Sequence, residues 1–156
     1  MATTNPIASF SVDPSGETTM HTHEMISTHP AVGGALDPAL VELIEDLFDC
    51  VQACTTCADA CLAEDDVIAL RECIRICLDC ADVCTGMGRI VSRRVSFDAP
   101  GLKPLLETCA EICRACAEEC DRHAAHHVHC RVCAEVCRRC EQACGTASGA
   151  LAPPVH

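Results

Sequence analysis

The sequence predicts an all-α protein, an antiparallel four-helix bundle whose core is lined with cysteine. Cysteines recur at spacings of four, three and four in four separate runs, and turn-forming residues lie between the runs. No segment shows the alternation of apolar and polar residues that is expected of a half-buried strand. Trp and Tyr are absent and there are only 3 Phe in 156 residues, so the 17 cysteines have to supply much of the core.

The cysteine spacing places the thiols of each run on one face of a helix. At about 100° per residue, such steps keep four side chains within an arc of roughly 60°. This strip is the inward-facing seam of a helix in a bundle. The runs are Cys50, Cys54, Cys57 and Cys61; Cys73, Cys77, Cys80 and Cys84; Cys109, Cys113, Cys116 and Cys120; and Cys133, Cys137, Cys140 and Cys144, with Cys130 one further step before the last run.

The first two helices form the first predicted hairpin. The first helix begins at Pro38, with Asp37 as its N-cap, and runs to about residue 64. The stretch "AEDD" is a turn, and the second helix follows over about residues 67–95. The stretch "SFDAPGLKP" contains two Pro and one Gly and therefore separates this hairpin from the next.

The second hairpin repeats the first at an offset of about 60 residues, which indicates duplication of a helical hairpin. Its helices are predicted over about residues 102–123 and 127–147. Two such hairpins make an antiparallel four-helix bundle. We assign residues 37–150 to this bundle, residues 1–36 to a flexible or surface-laid N-terminal segment that includes "MHTHEM", and residues 151–156 to a C-terminal tail.

Composition excludes several classes of partner. The formal charge of −12 argues against binding to nucleic acid or to an anionic membrane surface. The opening residues lack the basic start and apolar stretch of an export signal, and no run is long enough to cross a bilayer, so a cytoplasmic location is expected. Thiols stay reduced in that compartment, and an odd number of them cannot all pair as disulfides.

Reduced thiols on four facing seams predict soft-metal binding rather than catalysis. Ferredoxin-like clusters favour tight cysteine loops, and structural zinc favours knuckle-like loops, whereas Cu(I) accepts two or three sulfurs from facing helices. We expect multiple Cu(I) ions per chain, on the order of one per cysteine if thiolates are shared. Two alternatives remain open: a zinc- or mixed-metal thiolate sink of metallothionein type, and an iron–sulfur or copper redox carrier.

The two ends of the bundle are predicted to differ. The open end, at Cys61, Cys73, Cys120 and Cys130, carries candidate ion ligands at Asp65, His123, His126 and His127, whereas His129 is expected to point outward. Met87 is assigned to core packing. The closed end is expected to be sealed by large apolar residues, namely Leu40, Leu43, Ile44, Leu47, Phe48, Ile90, Val91, Leu102, Leu105 and Leu106.

The four "CxxxCxxCxxxC" runs and the histidine after "ECDR" resemble bacterial copper storage proteins of the cytosolic branch, over about residues 38–150. This resemblance implies Cu(I) storage and detoxification in the core of a four-helix bundle that assembles as a homotetramer. It implies that ions enter at the histidine end and carries this role over most directly to His123. A copper chaperone or a small thiol is the expected donor.

Overall fold

The computed structural model describes residues 21–33, 36–94 and 101–151. Those residues contain helices and turns but no β-strand, which confirms the predicted all-α class. The five helices are α1 (Thr22–Ser27), α2 (Pro38–Leu62), α3 (Arg71–Val91), α4 (Leu102–His123) and α5 (Val128–Ala150).

Helices α2 to α5 form the predicted four-helix bundle. Helix α2 packs against α3 and α5, and α4 packs against the same two helices, so neighbours in sequence are neighbours in space. Exposed ion pairs also join α5 to α2, where Arg139 lies 3.3 Å from Asp46 and 3.0 Å from Asp49. Exposed pairs of this kind contribute about 0–1 kcal/mol each, so the packed seams supply most of the stability.

The helix boundaries follow local signals. Asp37 caps α2 by accepting a hydrogen bond from the backbone N–H of Ala39 at 3.0 Å, as predicted. Gly101 precedes α4 with a φ of 91°, a left-handed conformation that favours glycine. Helix α3 begins at Arg71, later than predicted, because hydrogen-bonded turns occupy the preceding residues and end at the buried Leu70.

Large apolar side chains seal the closed end of the bundle, as predicted. Leu47 and Met87 are among the buried residues, and Phe48 packs its ring against Gly88 of α3. Leu105 was wrongly assigned to this group, because the buried stripe of α4 passes through its neighbour Leu106 and leaves Leu105 47% exposed. The other buried members are Leu43, Ile44, Val91, Leu102 and Leu106, whereas Leu40, Phe48 and Ile90 are partly buried.

Helix α1 lies on the surface of α2 and buries one side chain, Ile26, which is 7% exposed. Of the "MHTHEM" stretch, His21, His23 and Met25 are exposed, and Met20 lies outside the described residues. Among the helices that the structure describes, none combines the length and apolar character needed to span a membrane.

Candidate metal centre

All 17 cysteines point into the core of the bundle. Each is buried and none forms a disulfide, so the structure confirms the predicted convergence of four thiol-bearing seams. The antiparallel arrangement places Cys61 of α2 3.9 Å from Cys73 of α3, between their Sγ atoms, and Cys73 lies 3.7 Å from Cys120 of α4. These residues mark the open end, and Cys84 and Cys109, at 3.8 Å, lie toward the closed end.

The distances between sulfurs suit shared metal ions better than disulfides. Sγ atoms on facing helices lie 3.4 Å apart for Cys54 and Cys137 and 3.6 Å apart for Cys77 and Cys120. A disulfide requires about 2.05 Å. Metal–sulfur bonds of about 2.3 Å, the length seen with zinc, place two thiolates roughly 4 Å apart around a trigonal ion. The core is therefore spaced to accept metal ions without large movements of the helices.

The thiols form overlapping groups along the bundle axis. The four groups named below each hold four sulfurs that lie within 4.8 Å of one another; the first and second share Cys50, and the second and third share Cys54 and Cys137. Ions in these three groups would therefore share thiolate ligands. Four such groups are Cys50, Cys84, Cys113 and Cys140; Cys50, Cys54, Cys80 and Cys137; Cys54, Cys116, Cys133 and Cys137; and Cys57, Cys73, Cys77 and Cys120.

Shared thiolates favour a monovalent ion. A Cu(I) ion that replaces one thiol proton leaves the core near neutral, whereas Zn(II) held by four thiolates adds two net negative charges per site. Uncompensated charge is strongly unfavourable in a buried environment. Burial and repulsion from the Cys73 thiolate raise the pKa of Cys61 to about 11, so this thiol keeps its proton at neutral pH until a metal ion displaces it.

His129 lies at the open end and faces the thiols, so the prediction that it points outward was wrong. Its Nδ1 atom lies 3.5 Å from the Sγ atoms of Cys57 and Cys130 and 4.0 Å from that of Cys61. The three sulfurs and this nitrogen form a further group of candidate ligands within 4.8 Å of one another. His129 is four residues before Cys133, a spacing that places both on one side of a helix and could have indicated the inward position.

Glu64 connects two of the histidines at this end. Its Oε1 atom lies 3.1 Å from Nε2 of His129 and 3.1 Å from Nδ1 of His127. These hydrogen bonds, first to His129 and then to His127, lower the pKa of Glu64, which favours its carboxylate form. On its other side, the His127 ring places Nε2 3.8 Å from Oδ1 of Asp66.

His123 has a separate carboxylate partner. Its Nε2 atom lies 3.2 Å from Oε1 of Glu119, and Arg122 donates to the other oxygen of that carboxylate at 2.7 Å. The rings of His123 and His127 have centroids 6.5 Å apart, so His123 lies close to the Glu64 group.

Asp65 and His126, the remaining predicted ligands, are exposed. The carboxylates next to the histidines belong to Glu64, Asp66 and Glu119. Asp65 is not among them, because α2 ends at Leu62 and helical spacing from Cys61 no longer fixes the side-chain directions beyond it.

Comparison with known proteins gives a consistent result. Residues 37–149 match the family model described as "Copper storage protein". The copper storage protein Ccsp of Streptomyces lividans, in a structure loaded with 10 copper equivalents, is 48% identical, with a TM-score of 0.78 over 83% of this chain and 99% of that chain.

Two further structures extend the comparison. A five-copper structure of the Streptomyces lividans protein, described as cytosolic, is 51% identical over 73% of this chain and 95% of that chain, with a TM-score of 0.71. The Cu(I)-bound copper storage protein BsCsp3 of Bacillus subtilis is 36% identical over 68% of this chain and 94% of that chain, with a TM-score of 0.60.

Proposed function

The chain belongs to the copper storage protein family, and on that premise we propose that it stores and detoxifies Cu(I) in the cytosol. It binds many ions along the core of its bundle and carries out no chemical reaction on them. The observation that carries this proposal is the burial of all 17 unpaired cysteines on four facing seams.

The proposed ligands are the cysteines of the core together with histidines of the open end. The thiolates of all four runs and Cys130 hold the stored ions, and each Cu(I) displaces one thiol proton to solvent. His123 and His127 receive ions at the open end, and His129 joins Cys57, Cys61 and Cys130 as the first site inside. The exposed His126 and Asp65 are the outermost candidate ligands.

We also propose an oligomeric state for the chain and a donor for its Cu(I). The resemblance to cytosolic copper storage proteins suggests a homotetramer, and a copper chaperone or a small thiol is the proposed donor. Analytical ultracentrifugation of the apo-protein tests the first point. Transfer from a Cu(I)–glutathione complex, followed by the disappearance of free complex, tests the second.

An anaerobic Cu(I) titration against a strong Cu(I) chelator tests the function. We expect on the order of one ion per cysteine to be withheld from the chelator, with about one proton released per ion in weakly buffered solution. Saturation at about four Zn(II), with about four protons released per ion, would instead support the metallothionein-type sink. The comparisons lend no support to that alternative or to an iron–sulfur carrier.

A His123→Ala variant separates uptake from storage. Its capacity should equal that of the wild type, because the thiols are intact, while stopped-flow uptake should be slower. A fall in capacity with unchanged uptake would contradict a role for His123 at the surface.

A further inference from the structure

We infer that Glu64 is a positioning residue for copper uptake, because one oxygen of its carboxylate fixes opposite tautomers on His127 and His129. His127 can then accept an ion, and His129 can deliver that ion to the thiols. The effect on copper uptake rests on the proposed function, whereas the two tautomers are properties of the protein without copper.

The contact with Glu64 determines which ring nitrogen of His129 carries the proton. A neutral imidazole has one N–H donor and one acceptor nitrogen, and a carboxylate can only accept. Because Nε2 of His129 lies 3.1 Å from Oε1 of Glu64, the proton is on Nε2 and the lone pair is on Nδ1. That Nδ1 atom faces the sulfurs of Cys57 and Cys130 at 3.5 Å, where a metal ion needs a lone pair.

His127, whose side chain is 12% exposed and lies beside the exposed Asp66, has the reverse arrangement. Nδ1 of His127, rather than Nε2, lies 3.1 Å from the same Glu64 oxygen, so the proton is on Nδ1. The lone pair is then on Nε2, which lies 3.8 Å from Oδ1 of Asp66. An imidazole nitrogen and a carboxylate oxygen at this separation can hold one cation between them.

The two imidazoles are close enough to transfer an ion. Their ring centroids are 5.4 Å apart, and the Glu64 carboxylate contacts both rings. A Cu(I) ion would bind first at Nε2 of His127, then at Nδ1 of His129, and finally to thiolate, with one thiol proton released to solvent. Without Glu64 each ring would sample both tautomers, and the lone pairs would be directed correctly only part of the time.

Three variants test this role. Glu64→Ala removes the acceptor, whereas Glu64→Gln removes the charge and keeps an oxygen that can accept both hydrogen bonds. Asp59→Ala is the matched control, because it removes one carboxylate from an exposed position of the same helix. Circular dichroism checks that each variant folds.

The first measurement is a long-range 1H–15N correlation spectrum of the apo-protein at about pH 8, above the ordinary histidine range. We expect His129 as the Nε2–H tautomer and His127 as the Nδ1–H tautomer, which is the less common form of free histidine. Both signatures should persist in Glu64→Gln and be lost in Glu64→Ala. A wild-type His127 with its proton on Nε2 would overturn the inference.

The second measurement is stopped-flow Cu(I) uptake with a titration of final capacity. Glu64→Ala should load roughly ten-fold more slowly than the wild type, the usual effect of removing a residue that orients a ligand, and reach the same capacity. Glu64→Gln and Asp59→Ala should load at close to the wild-type rate. Loading of Glu64→Ala at the wild-type rate would show that the hydrogen-bond acceptor does not matter. Equal slowing in Glu64→Gln and Glu64→Ala would show that the charge of Glu64 acts alone, and either result would overturn the inference. A wild type that binds few Cu(I) ions would refute the proposed function instead and leave the tautomer result intact.

Discussion

Replacing Cys54 with alanine should separate the packing role of a core thiol from its ligand role. The Cys54 Sγ atom contacts four other sulfurs at 3.4–3.9 Å, those of Cys50, Cys116, Cys133 and Cys137. Losing one buried atom of this size removes about 0.8 kcal/mol of transfer free energy. A residual cavity of roughly 25 Å³ adds about 0.6 kcal/mol. The apo-protein should therefore lose about 1–1.5 kcal/mol, measured by urea unfolding under reducing conditions.

The effect on copper is expected to exceed the effect on packing. Cys54 belongs to two of the overlapping four-sulfur groups, so Cys54→Ala should lower capacity by one to two Cu(I) equivalents in the chelator titration. Cys54→Ser should lower capacity equally, because a hydroxyl oxygen is a poor ligand for Cu(I). Ala58→Gly, on the same helix and also buried, should lower stability by about 1 kcal/mol and leave capacity unchanged. Full capacity in either Cys54 variant would refute the assignment of this thiol as a ligand.

Three further predictions concern stability. Copper held at a hundred times its dissociation constant adds about 2.7 kcal/mol per site, so loading should raise the calorimetric Tm by more than about 5 °C, and an unmoved Tm would contradict ions inside the bundle. An added Cβ would lie 3.0 Å from the Phe48 ring at Gly88 but meets nothing within 4 Å at Gly86. Urea unfolding should therefore show Gly86→Ala to be stabilised by up to about 1 kcal/mol and Gly88→Ala to fall roughly 1 kcal/mol below it, and equal values would rule out the contact. Because the folded pKa of Cys61 is about 11 against an ordinary value of 9.0, its contribution to apo-protein stability is complete below pH 9.0 and is lost as pH approaches 11. Circular dichroism should show a smaller fall in stability across that range for Cys61→Ala than for the wild type, and an equal fall in both would contradict it.

The fold was predictable because one spacing rule determines it. Residues spaced by four and three positions lie on one side of a helix, and the cysteine runs identify that side as the one that faces inward in each of the four helices. Helix α4 has the predicted bounds of Leu102 and His123. The cap at Asp37 was also readable, since its contact with Ala39 involves only neighbouring residues.

The open end was less predictable because its geometry depends on residues that are distant in sequence. Glu64 and His129 are 65 positions apart, and their contact exists only because the end of α2 lies beside the start of α5. Spacing from Cys61 suggested Asp65, but the helix stops at Leu62 and the chain then turns. The inward position of His129 could have been inferred from its four-residue spacing from Cys133, whereas nothing in the sequence indicated that Glu64 contacts His129.

The asymmetry of the bundle has a consequence for how its contents are recovered. Leu47 and Leu106 block one end, so ions held deep in the core, near Cys84 and Cys109, have to leave past the positions nearer the histidines. We therefore expect discharge to be sequential, with the last ions to arrive the first to depart. A fully loaded protein would give up its most recently bound copper readily, and the earliest ions, held near the closed end, would be released slowly.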